Sequence, residues 1–125
     1  VAHVGDRGLP GALEIIEARA ADIIGVSLLE QGGISESLAI CDLAASYGIE
    51  CMLSCVPEGP ISAAAAAHLA VARADVVKRV DLAAPSLAQF DLVAGNVCFA
   101  GSEIRIADAP GLGITTIPSL EPVGG

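Results

Sequence analysis

Two hydrophobic periods alternate along this chain. Residues 22–28 are apolar and rich in β-branched side chains, so they read as a buried strand. Residues 49–54 repeat that pattern. Residues 75–82 give a third run, with Val76-Val77 followed by Lys78-Arg79-Val80-Asp81. Between these runs the period lengthens to that of a helix. Residues 12–21 carry Leu13, Ile16 and Ala20 on one side, with Glu14 and Glu17 outward. Residues 35–47 follow Ile34 with Leu38, Cys41 and Ala45 on one stripe and Glu36 and Asp42 opposite. Gly48 is placed to close that helix. Pro60 suits a first helical position, and residues 61–73 form an alanine-rich helix. Residues 1–4 look like the stub of another strand. Residues 6–11 read as a loop rich in breakers, and Gly32-Gly33 breaks the strand before it.

The pattern changes after Pro85. Residues 90–95 are irregular. Residues 96–99 and 103–106 flank Ala100-Gly101-Ser102 like a short hairpin. Residues 109–114 form another loop, and the end is rich in Pro and Gly. The order is α-β-α-β-α-β with a repeat of roughly 27 residues, the size of one βα unit, and then a small antiparallel tail. In parallel α/β folds the ligand sits at the carboxyl ends of the strands. Residues 27–31 would therefore face any active site.

Composition narrows the function. With 54% hydrophobic and 2% aromatic residues, the core must be aliphatic. A net charge of −9 argues against nucleic-acid partners, which need clustered Lys and Arg. There is no basic amphipathic face for an anionic membrane, and no apolar run reaches the length of a span. Cys41, Cys51, Cys55 and Cys98 lack the spacing of a zinc site and suit buried thiols in a reducing cytoplasm.

Three motifs stand in a fixed order: Asp22-Ile-Ile-Gly-Val-Ser-Leu-Leu-Glu-Gln-Gly-Gly-Ile34, then Cys51-Met-Leu-Ser-Cys-Val-Pro-Glu58, then Asp108-Ala-Pro-Gly-Leu-Gly-Ile114. Together they resemble the C-terminal part of the enolase superfamily, and within it the muconate-lactonizing enzymes and dipeptide epimerases. The resemblance runs from about residue 12 to 114. It implies an α/β fold: the C-terminal part of a (β/α)8 barrel, about strands five to eight, with a short antiparallel C-terminal tail. Residues 1–114 would be this barrel half with its tail, and residues 115–125 a Pro/Gly-rich extension. Such proteins remove a proton next to a carboxylate, with magnesium as the cofactor. The substrate class is a small-molecule carboxylate of amino-acid or dipeptide type.

The resemblance also assigns positions. Ser27 falls where the family's sixth-strand lysine stands, and a serine hydroxyl does not take over proton transfer unaided. Ser27 and Cys55 are then candidate contacts at the reacting face. The family's strand-five Asp-Glu pair falls at about His3-Val4, so His3 is a candidate metal ligand, although imidazole suits magnesium poorly. A slip of one or two residues brings Asp6 into that role. Asp81 keeps the first carboxylate of an Asp-x-Asp that holds the substrate ammonium, and Ala83 replaces the second. Glu58 matches a family glutamate after strand seven.

A closed barrel of this type needs eight strands and typically about 250 residues. A half barrel leaves two sheet edges open, and residues 22–28 and 49–54 carry almost no charge to protect them. The chain is therefore expected to be completed by an N-terminal barrel half and capping domain, as a separate chain or as upstream sequence, and to work as an oligomer. Two other readings stand beside the isomerase. One is a degenerate barrel half that binds or assembles without catalysis. The other is a small open sheet of the flavodoxin type that holds an anion at Gly32-Gly33.

Overall fold

The computed structural model describes residues 1–56, 58–82, 94, 95 and 97–116. Four strands, β1 (Ala2–His3), β2 (Ile23–Val26), β3 (Glu50–Ser54) and β4 (Val77–Asp81), form one parallel sheet in the order β1-β2-β3-β4. Helices α1 (Gly8–Glu17), α3 (Ile34–Ser46) and α4 (Pro60–Ala72) connect them, and a one-turn helix α2 (Leu28–Gln31) follows β2. Each strand pairs with the next in sequence. Right-handed crossovers in that order stack every connecting helix on one face. A flavodoxin-type sheet reverses its winding at a switch point. The described strands contain no reversal, so the open-sheet reading is not borne out.

The helix-covered face is the core. Ile24 and Val26 of β2 and Cys51 and Leu53 of β3 are fully buried against Ile15 and Ile16 of α1, Ile40, Cys41 and Ala44 of α3, and Ala66, Ala67 and Leu69 of α4. Small side chains let these helices pack closely where large rings are lacking. Inside this layer the Cys41 and Cys51 thiols interact, and that interaction together with burial pushes Cys51 above the ordinary thiol range.

Element boundaries depart from the sequence reading in instructive ways. Helix α1 starts at Gly8, not at residue 12. The breakers Gly8-Leu9-Pro10-Gly11 occupy its first turn, where amide N–H groups have no helical partners and proline removes nothing. The helix ends at Glu17, not at residue 21. Arg19 turns left-handed at φ 49°, and the N–H groups of Arg19 and Ala20 donate back to the carbonyls of Ile16 and Ile15 at 3.0 Å each. Strand β2 stops at Val26, because Leu28–Gln31 coil into α2. An apolar pair such as Leu28-Leu29 does not tell a strand from a helix by periodicity. Gly48 does close α3: it sits at φ 69°, and Ile49 N–H donates to Ala44 O at 2.9 Å.

Strand β4 carries a bulge. Cys51 pairs with Val77 but Met52 pairs with Arg79, so Lys78 is the extra residue. The tail hairpin is β6 (Val97–Ala100) with β7 (Glu103–Ile106), and it packs against α4. A second antiparallel pair joins β5 (Ala94–Gly95) to β8 (Ile114–Thr116). Thr115 and Thr116 belong to β8. The irregular stretch expected at 90–93, Ala83, Asn96 and the extension from 117 onward lie outside the described residues. Among the described residues no strand pairs with the free side of β1 or of β4.

Candidate active site

Strand register decides which side chains share the other face. His3 pairs with Gly25, Gly25 with Met52, and Met52 with Arg79; two positions further along, Ser54 pairs with Asp81. Side chains alternate along a strand. His3, Gly25, Met52, Ser54, Arg79 and Asp81 therefore lie on one face, opposite the helices. Ser27 follows β2 in extended conformation, at φ −114° and ψ 124°, and continues that alternation. This face carries most of the polar groups of the sheet at its carboxyl ends. Lower down, Arg79 donates to Glu50 at 2.5 Å.

One contact crosses the sheet. The Ser54 hydroxyl on β3 lies 3.4 Å from Nδ1 of His3 on β1. Strand β2 runs between them, and Gly25 is the residue beneath. A Cβ on Gly25 would stand 2.5 Å from His3 Nδ1, 2.7 Å from Cε1 and 2.8 Å from Cγ. Only a residue without a side chain lets the imidazole lie across β2.

The other candidates sit as follows. Ser27 is 2% exposed, and its Oγ is buried with no hydrogen-bond partner among the described residues. Asp81 ends β4, is exposed, and its carbonyl accepts the Cys55 N–H at 3.0 Å. Cys55 is partly buried. Glu58 lies in the loop before α4, where Ser62 Oγ donates to its Oε2 while Oε1 is buried without a partner among the described residues. Asp6 lies in the turn after β1 and is exposed. The structure thus brings His3, Ser27, Ser54 and Asp81 to one face, with Cys55 just beyond β3. Glu58 and Asp6 sit on the loops that follow β3 and β1.

Among the described residues no three His, Cys, Asp or Glu side chains converge as a metal site. His3 turns Nδ1 toward Ser54, and Asp6 stands in a separate turn. These residues do not by themselves fit a magnesium ion. Ser54 and Gly25 were missed in the sequence. The signal for them is register: Ser54 stands opposite Asp81, and Gly25 is a glycine inside a buried strand, which marks a close approach.

A sequentially wound parallel sheet, helices on one face and polar groups gathered at the strand ends on the other, makes this an α/β fold, and in β/α barrels ligands bind at such strand ends. The chain belongs to the enolase C-terminal domain-like family, whose model matches residues 7–119. It is similar to the L-Ala-D/L-Glu epimerase of Clostridium acetobutylicum, 44% identical over 106 residues that cover 85% of this chain and 29% of that enzyme. Among solved structures it is similar to the substrate-liganded L-Ala-D/L-Glu epimerase of Bacillus subtilis, with a TM-score of 0.79, 35% identity and coverage of 89% of this chain and 30% of that one. It also superposes on the Methylococcus capsulatus dipeptide epimerase complexed with magnesium and L-Arg-D-Lys, with a TM-score of 0.82, 28% identity and coverage of 87% and 31%. The chain spans less than a third of the length of these relatives.

Proposed function

We propose that this chain is the strand-five-to-eight portion of an enolase-superfamily epimerase that acts on a dipeptide or similar amino-acid carboxylate. The observation that carries this reading is the 44% identity to an L-Ala-D/L-Glu epimerase across 106 residues. Sheet β1–β4 supplies one wall of the site. Asp81 holds the substrate ammonium, Glu58 belongs to a polar network above β3, and Ser27 and Cys55 contact the substrate at the strand ends. The remaining barrel strands, the capping domain and the magnesium ligands come from outside the described residues. The open sides of β1 and β4 are where those strands join.

The test is exchange of the α-proton. The full-length protein is incubated with L-Ala-L-Glu and magnesium in deuterated water, and deuterium at the α-carbons is followed by NMR. Incorporation is expected. Absence of exchange with retained dipeptide binding by calorimetry would replace this reading with a binding or assembly role. The serine at position 27, where the resemblance expects a lysine, favours that second reading.

A further inference from the structure

We infer that Cys41 and Cys51 form a redox pair, closed to an intramolecular disulfide by a small peroxide and reopened by a dithiol. The inference does not depend on the epimerase reading. Cys41 lies on α3 and Cys51 on β3, and both are fully buried in one core where α3 packs against β3. Their side chains are in hydrogen-bonding contact. A disulfide needs partners that are already neighbours in the fold, and these two thiols are. Cys55 follows β3 and is partly buried, and Cys98 is exposed on β6.

The surroundings favour reaction at this pair. Arg73 acts on both thiols, and a cation favours the thiolate, the form that attacks an oxidant. Its guanidinium is held by Asp42, the neighbour of Cys41, and by Asp75 at 3.0 Å. Those carboxylates and burial oppose the thiolate, so the reaction is slow. A surface depression at the amino end of β3 is lined in part by Ala45, Glu50, Asp75 and Val76. Ala45 is one turn beyond Cys41, Glu50 precedes Cys51, and the Cys51 N–H donates to Val76 O at 2.9 Å. The depression therefore flanks both cysteines. Hydrogen peroxide, little larger than water, suits this approach, and a bulky disulfide does not.

The chemistry balances. One sulfur attacks a peroxide oxygen, the O–O bond breaks, and a sulfenic acid and one water result. The second sulfur attacks the sulfenic sulfur, the S–O bond breaks, and the hydroxyl leaves with the thiol proton as a second water. The two thiols have then lost two electrons to the peroxide. The disulfide ties α3 to β3 and keeps the sulfenic acid from the irreversible sulfinic step. A dithiol returns the two electrons by exchange.

The experiment treats the folded full-length protein with hydrogen peroxide and then alkylates the remaining thiols. Linkages are mapped by mass spectrometry after cleavage at Glu50, which separates Cys41 from Cys51. A Cys41–Cys51 link that dithiothreitol reverses is expected, at least about tenfold more abundant than any other pairing. Cys55→Ser leaves both core thiols in place and is expected to form the link unchanged. With Cys41→Ser or Cys51→Ser the remaining core thiol has no partner, and in one of the two variants dimedone is expected to capture its sulfenic acid. The same treatment in urea is expected to give mixed pairings, because the unfolded chain holds no fixed neighbours. A folded protein that keeps both core thiols free would overturn the inference, as would a Cys41–Cys51 link that forms only in urea, oxidation confined to Cys55 and Cys98, or dimedone capture in neither serine variant.

Discussion

Gly25→Ala moves His3 without deleting any functional group. The added Cβ would stand 2.5 to 2.8 Å from three atoms of the imidazole. Carbon contacts settle near 3.5 to 4.0 Å, so the ring must retreat by about 1 Å. The Ser54–His3 contact is already 3.4 Å long and does not survive that retreat. Gly25 is absent from the positive-φ positions, so alanine meets no backbone strain there. Replacing glycine at a compatible position stabilises by about 0.4–1 kcal/mol through the unfolded chain. That gain offsets part of the cost of displacing an exposed ring, and the net change in stability is expected to stay within about 1 kcal/mol. The assay pairs a urea unfolding curve with NMR of the His3 ring protons. Unshifted ring resonances would refute the packing of the ring over Gly25. A variant destabilised by several kcal/mol would refute the claim that only the exposed ring stands in the way.

Other outcomes follow from the same structure. Ser27→Ala removes a buried hydroxyl with no partner, and such groups cost about 1–3 kcal/mol, so stability is expected to hold or rise in thermal unfolding; a loss above about 1 kcal/mol would mean Ser27 is hydrogen-bonded after all. Leu53→Ala empties a fully buried position between sheet and helices and is expected to cost about 2–5 kcal/mol in urea unfolding; a loss under about 1 kcal/mol would contradict its place in the core. The Arg73 hydrogen bond holds the Asp75 carboxyl below its ordinary range, so the folded state binds that proton less tightly than the unfolded chain does. Its stabilising effect is therefore present above the ordinary carboxylate pKa and fades as pH falls through the lowered value. Urea midpoints measured down the acid range should show Asp75→Asn lacking this decline, and identical profiles would rule the pair out as a source of acid sensitivity.

Much of the architecture is written locally. The apolar runs around Ile24 and Leu53, the Gly48 stop and the Pro60 start follow from side-chain period and turn chemistry within a few residues of each position, so the βα alternation is readable from the chain. The boundaries that slipped are those where two local signals compete. Gly8-Leu9-Pro10-Gly11 reads as a loop until α1 takes the breakers into its first turn, and Leu28-Leu29 reads as strand until α2 forms.

The ordered motifs that mark the family are likewise a property of the sequence. What the sequence could not decide is which side chains meet. His3 and Ser54 lie 51 positions apart, and their contact exists because two parallel strands flank a glycine in a third. The bulge at Lys78 sets which residues of β4 face the site, and no local pattern announces it. Register is fixed by the packing of the whole sheet against its helices, because a shift of one residue would turn every buried side chain outward. The strand types belong to the chain, and the site belongs to the tertiary structure.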